Sequence, residues 1–222
     1  MCCAQLVDCV PTMESKLYAA TQVVDEARHV EAFHRYLSLM DKSYPIAGGL
    51  KKVIDAILAA DSWQTKSLGM QIMLESLAMG FFRNMMIQAE DPILRRIVQL
   101  TAHDEARHVG FGIVSLAGVI PRMSEKARSG LEDFTLTAIG ILQGRDGAGG
   151  VIDDQAVIDA GIDPQEMRDS IAREREEAIA QPSQSEQRSV LRDYLVPNLD
   201  RVGLISDRIR PLYEEHGLIR NT

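Results

Sequence analysis

The hexapeptide Asp-Glu-Ala-Arg-His-Val occurs twice in this chain, at Asp25–Val30 and at Asp104–Val109. Each copy holds Glu-x-x-His: Glu26 with His29, and Glu105 with His108. Residues three apart share one face of an α-helix, so each copy presents a carboxylate and an imidazole side by side. Two such helices set face to face gather two carboxylates and two imidazoles around one small volume. Those donors suit a pair of iron ions, with manganese as the alternative, inside a four-helix bundle.

A single Glu-x-x-His carries little weight, because helix surfaces are rich in glutamate. Here three further features add to it. The repeat extends beyond the Glu and His to the flanking Asp and Arg. Apolar residues accompany both copies: Val24, Val30 and Phe33 flank the first, and Val109, Phe111 and Ile113 follow the second. A Glu and a His drawn into an apolar interior need partners, and a cation supplies them. Lastly, Glu75 stands on an otherwise apolar stretch of Met, Leu, Ile and Phe, thirty residues before Glu105. Two antiparallel helices joined by a tight turn bring such positions level. Asp25 and Asp104 have a supporting role to fill. A metal-bound imidazole usually donates its other N–H to a carboxylate, so Asp25 is expected to hold His108 and Asp104 to hold His29. Arg28 and Arg107 are the counter-charges to these aspartates. His34, His103 and His216 fall on other faces or beyond the motifs and need no such role.

The elements that must position these residues read as helices almost throughout, with no alternating strand pattern. Residues 1–10 look like the end of a helix. Pro11-Thr12 is a break with Thr12 as N-cap, and a long helix runs to about Met40 with Tyr18, Gln22, Glu26, His29 and Phe33 on one stripe. A shorter helix follows to about Ala60. Asp61-Ser62 caps a long helix ending near Glu90, whose inner stripe is Leu68, Gln71, Ile72, Glu75, Met79 and Phe82. Asp91-Pro92 opens the helix of the second motif, which stops before Pro121. A fifth helix spans Ser124 to Gln143, and the four glycines of Gly144–Gly150 read as a flexible joint. Helices at Asp163–Ala180, Ser185–Leu195 and Ser206–His216 follow, separated by Pro182 and Pro197. The run Arg173–Glu177 reads as a solvated face. The expected architecture is all-α, a bundle over 1–146 with a helical extension over 147–222 that serves packing or homodimer formation.

At 222 residues the chain can bury one substantial core. Its 24 Lys and Arg stand against 32 Asp and Glu, a net charge of −8, which argues against nucleic acid or anionic membrane as the main partner. No apolar run reaches the length of a membrane helix, and Met1–Gln5 lacks the marks of a signal peptide. Cys2, Cys3 and Cys9 crowd the first nine residues without Cys-x-x-Cys. They fit a reducing cytoplasm, as small buried apolar residues.

The doubled D-E-x-R-H resembles that of the ferritin-like di-iron oxidases and oxygenases, over roughly residues 1–120. These include bacterial monooxygenase hydroxylases, acyl-carrier-protein desaturases and ribonucleotide reductase small subunits. The resemblance implies two irons bridged by Glu26 and Glu105, capped by His29 and His108, with Glu75 as a terminal ligand. It implies O₂ as co-substrate, an external electron donor, and a small organic substrate held among Tyr18, Gln22, Met79 and Phe82. Iron storage, or a helical protein that has lost its metal, would use the same fold without that chemistry.

Three departures narrow the resemblance. Thr101 stands where arylamine N-oxygenases place an extra histidine, which counts against that branch. The family's fourth carboxylate lies about thirty residues before the first motif, and counting back from Glu26 runs off the start of the chain. Glu14 is no substitute, being about 18 Å from Glu26 along the same helix. Two Fe²⁺ bring +4 and three glutamates return −3. The expectation is therefore a chain lacking most of the first helix, which binds metal weakly or holds one ion. Phe33 occupies the position at which ribonucleotide reductases carry their radical tyrosine. No persistent tyrosyl signal is expected in electron paramagnetic resonance after addition of ferrous iron and O₂, and such a signal would restore the radical-carrier reading.

Overall fold

A computed structural model describes residues 1–147, 150–180 and 189–219, with side chains in the second range through Arg173. The described residues are all-α, with no strand among them. A short α1 (Cys2–Cys9) turns at Val10–Thr12 into α2 (Met13–Ser38), and the two form a hairpin. The shorter α3 is Gly48–Ala59. The next helix, α4, runs over 63–88 but changes gauge on the way: Trp63–Ser67 and Glu75–Gln88 are α-helical, and Leu68–Leu74 between them is a π-helix. α5 is Pro92–Ala117 and α6 is Glu125–Leu142. Beyond them come α7 (Asp154–Asp159), α8 (Pro164–Ala180), α9 over 191–201 and α10 (Arg210–Glu215).

The helix starts follow from local chemistry. Each helix opens with amide groups that have no partner inside it, and a short polar side chain just before the first turn can accept from one. Thr12 accepts from Ser15 N at 3.2 Å, Ser62 from Thr65 N at 3.1 Å, and Asp91 from Ile93 N at 2.8 Å. These three caps start the three helices that carry Glu26, Glu75 and Glu105. Pro92 fills the first turn of α5, where no amide is needed.

Packing then brings the motif helices together. The hairpin of α4 and α5 is the most extensive helix pairing, and α2 lies across α5. Gly112 is required where α5 meets the π-helix, since a Cβ there would come within 2.8 Å of Gln71 Cβ. The main core joins Ile57, Leu68, Ile72, Leu116 and Ile139 with Leu195, Leu199, Leu204, Ile209 and Tyr213 from the C-terminal helices. The tail is thus part of the wall behind the motif helices. Gly144, Gly147 and Gly150 take left-handed φ of 73°, 75° and 67°, and Gly150 O accepts from Leu50 N at 3.1 Å, so the glycine stretch is fastened to α3.

Several sequence expectations change in detail. Val24 and Val30 face outward, 65% and 71% exposed. One lies two residues before Glu26 and the other one residue after His29, each well round the helix from the motif face. The first copy is instead enclosed by Ala19 and Gln22, both fully buried. Phe111 stacks on Tyr18 with ring centres 3.8 Å apart, pinning α5 to α2. The last helix is shorter than Ser206–His216. Pro182 and the start of the Ser185 helix lie outside the described residues, as do Ala148, Gly149 and the side chains of Glu174, Arg175, Glu176 and Glu177. Among the described residues no helix is long and apolar enough to cross a membrane. Because Leu199 is fully buried in the shared core, Leu199→Ala is expected to destabilise the whole fold by about 2–5 kcal/mol. Chemical denaturation followed by circular dichroism checks this; a loss confined to the tail, leaving the main transition unmoved, would contradict it.

Candidate metal centre

Glu26 and His29 come from α2, Glu75 from the first turn of the second α-helical part of α4, and Glu105 and His108 from α5. Glu26, Glu75, Glu105 and His108 each offer a ligand atom, all within 4.8 Å of one another. His108 Nδ1 faces the cluster, 2.8 Å from Glu105, 3.5 Å from Glu26 and 3.7 Å from Glu75. His29 enters from the other side, its ring centre 6.3 Å from that of His108. Its Nδ1 lies 3.2 Å from Glu105 and 3.6 Å from Glu26 but makes no aligned hydrogen bond, although it is buried.

Both imidazoles turn Nε2 outward to an aspartate of the opposite motif. His29 Nε2 is 3.0 Å from Asp104, and His108 Nε2 is 3.2 Å from Asp25. Arg28 reaches Asp25 and also Asp104 at 3.0 Å; Arg107 reaches Asp104 at 2.7 Å and Asp25 at 3.2 Å. The two hexapeptides therefore interlock as a crossed ring, with half-exposed arginines on the solvent side and imidazoles beneath. The crossing follows from helix geometry. Asp and Glu are adjacent in sequence and point about 100° apart, one toward the facing helix and one into the centre.

Burial and charge set the protonation pattern. Burial pulls His29 down, but the facing carboxylates of Glu105, Glu26 and Asp104 outweigh it and push it up to about 10. His108 moves the same way, against its burial, through Glu105, Asp25 and Glu26. Glu75 is raised well above the ordinary carboxylate range by burial and by the neighbouring Glu105 and Glu26. Burial acts on Glu105 too, but His108 and His29 hold it far below that range. In the metal-free centre these surroundings favour the charged form of both imidazoles and the neutral form of Glu75. An imidazole nitrogen buried among carboxylate oxygens without a hydrogen bond is unfavourable unless a cation completes it. Carboxylate oxygens and imidazole nitrogens form the mixed N/O set that suits iron.

Sequence reasoning misses two features of the site. One is a buried amide chain: Ser67 Oγ donates to Gln71 at 2.6 Å, Gln71 Nε2 donates to Gln22 at 2.9 Å, and Gln22 Nε2 donates to Glu75 at 2.9 Å. A signal is present, since Gln22 precedes Glu26 by four residues and Gln71 precedes Glu75 by four, each on an apolar stripe. Gln22, expected at the substrate pocket, is fully buried and its amide is engaged with Glu75 and Gln71. The other residues expected there, Tyr18, Met79 and Phe82, have different neighbours. Phe82 stacks on Phe33, while Met79 lines a cavity of about 280 Å³ with Val109, Ile113, Tyr194, Asn198 and Arg201. The other feature is Cys3, 3% exposed, whose Sγ lies 4.0 Å from Glu26 Oε1. Burial, followed by the Glu26 charge, pushes its thiol up to about 12.

A helical bundle with a buried carboxylate–histidine centre of this kind defines a ferritin-like protein. The chain matches the family model of the p-aminobenzoate N-oxygenase AurF over residues 2–203 and belongs to that family of di-iron oxygenases. Comparison with curated proteins and with solved structures gave no match. The buried Thr101, 4% exposed, counts in the sequence against the arylamine N-oxygenases; the family match overturns that reading.

Asp25→Ala and Asp104→Ala are each expected to weaken metal binding by about 10–100-fold, the usual cost of losing a carboxylate behind a ligating histidine. Competition with a chelator measures this, and unchanged affinity in both variants would leave the aspartates as surface residues.

Proposed function

We propose that the chain is a di-iron oxidase or oxygenase acting on a small organic substrate, with an aromatic amine as the first class to test. The observation that carries this reading is the cluster of half-buried Glu26 with buried Glu75, Glu105 and His108, completed by His29, whose buried Nδ1 lies 3.2 Å from Glu105 without an aligned hydrogen bond. Membership of an N-oxygenase family supports both the chemistry and the amine.

In this reading Glu26, Glu75 and Glu105 would hold the irons through their carboxylates, with His29 and His108 contributing through Nδ1. Ferrous ions held there supply electrons for reduction of O₂, an activity beyond any protein side chain. The protein's part is positional and electrostatic. Asp104 and Asp25 fix the tautomers by accepting from Nε2, which leaves each Nδ1 lone pair free. Gln22 donates to Glu75 Oε1, the oxygen 3.7 Å from His108 Nδ1, and so fixes the orientation of this carboxylate at the centre. The stacked pairs Tyr18–Phe111 and Phe33–Phe82 shield the flanks from water. Substrate is assigned to the cavity beside Met79, because Met79 in its wall lies one helical turn beyond Glu75 on the same face. Manganese fits the same donors, and an external reductant is required to return the centre for each further turnover.

A cation bound through Nδ1 displaces the proton that His29, pushed up to about 10, favours at neutral pH. Iron binding at neutral pH should therefore release protons and tighten as pH rises. The sign for the metal-free fold is the reverse. The folded value of His29, about 10, exceeds its ordinary 6.5, so its ion pairs stabilise fully below 6.5 and are lost as pH rises through about 10. Calorimetry in buffers of different ionisation enthalpy reads the proton release. The decisive assay is metal analysis of the purified chain, followed by amine-dependent O₂ consumption with the iron-loaded protein and with Glu105→Ala. Absence of bound metal in the unaltered chain would overturn the reading.

A further inference from the structure

We propose that Cys3 is a ligand of this centre, giving it a sulfur donor beside its carboxylates and imidazoles. The inference rests on the di-metal reading above and deepens it. Cys3 is the one cysteine placed to reach the cluster, because Cys2 is packed in the main apolar core and Cys9 is only half-buried at the end of α1. The Cys3 side chain points across the α1–α2 hairpin to Glu26, with Sγ 4.0 Å from Oε1. A sulfur about 2.3 Å and an oxygen about 2.1 Å from one first-row ion lie roughly 3 to 4.4 Å apart, depending on the angle between the bonds. The observed separation falls in that range with no movement of either helix.

Two further observations point to a cation beside this sulfur. His29 Nδ1 is buried, 3.6 Å from Glu26 Oε2, with no aligned hydrogen bond, so Glu26 has an unfilled position next to it. Glu26 Oε1, the oxygen that faces Cys3, also has His108 Nδ1 and Gln22 Nε2 each at 3.5 Å, so the sulfur and a ligating imidazole meet at one oxygen. Charge supplies another reason. Glu26, Glu75 and Glu105 together return −3 to two divalent ions. A thiolate from Cys3 brings the total to −4 and makes the centre neutral, which a water-poor interior favours. The thiol proton leaves to solvent as the metal–sulfur bond forms, with no change of oxidation state. Sulfur donors also favour softer divalent ions than carboxylates alone.

The full-length, metal-free chain is titrated anaerobically with Co²⁺, with the protein kept reduced. The expected result is a thiolate-to-cobalt charge-transfer band in the near ultraviolet. It should vanish in Cys3→Ser and Cys3→Ala and persist in Cys9→Ser. Cobalt affinity should fall by about tenfold or more in Cys3→Ala. X-ray absorption on the iron- or cobalt-loaded unaltered chain needs no variant and should show sulfur at about 2.3 Å. Metal bound with only oxygen and nitrogen neighbours, or a band that survives Cys3→Ala, would overturn the inference and leave the di-metal reading standing. A chain that takes up no metal would overturn both.

Discussion

Ionisable side chains do not enter the interior of a helical bundle without compensation, and here four of them do so beside a half-buried fifth, Glu26. Three glutamates and two histidines meet between α2, α4 and α5, and the surrounding structure is arranged to make that tolerable. Each imidazole is held at Nε2 by an aspartate that is itself held by two arginines. Glu75, the most deeply enclosed carboxylate, accepts from a chain of buried amides that ends at Ser67. Isolated buried charges cost several kcal/mol even after relaxation, so this network is as necessary to the fold as the apolar core behind it.

The π-helical stretch Leu68–Leu74 answers the same crowding. It ends directly at Glu75 and contains Gln71, and it widens α4 where Gly112 of α5 presses against it. Such stretches trade some hydrogen-bond quality for a shifted side-chain register and are frequent at functional sites. Here the shift sits where three polar side chains must share one layer. A second π-helical stretch, Leu191–Leu195, runs into Pro197, which has no amide to donate, and lies against the cavity wall at Tyr194.

Much of this is legible in the chain because the informative features are local. A repeated hexapeptide, helix periodicity, and the capping residues Thr12, Ser62 and Asp91 depend on neighbours within a few positions. They mark the all-α class and the helices that bring Glu26, Glu75, Glu105 and both histidines together. What is not legible depends on long-range packing. Nothing in Leu68–Leu74 marks a π-helix, since the change is imposed by the contact with α5. Val24 and Val30 are apolar yet face outward, because helix phase and not side-chain character decides their direction. Cys3 reaches Glu26 across 23 positions of sequence. That the Gln22 amide is engaged with Glu75 depends on the packing of another helix against α2.

The crossed ring has a consequence for how this centre can change over time. Because each aspartate serves the histidine of the other hexapeptide, neither copy is a self-contained half. A substitution in one motif loosens a donor that belongs to the other, so the penalty is shared and cannot be repaired within the mutated segment. The two copies are thereby bound to co-evolve, and divergence is open only to residues outside the handshake, such as those lining the cavity beside Met79. A change in either hexapeptide is therefore felt at both imidazoles, whereas a change in the wall of the cavity beside Met79 leaves the crossed ring intact.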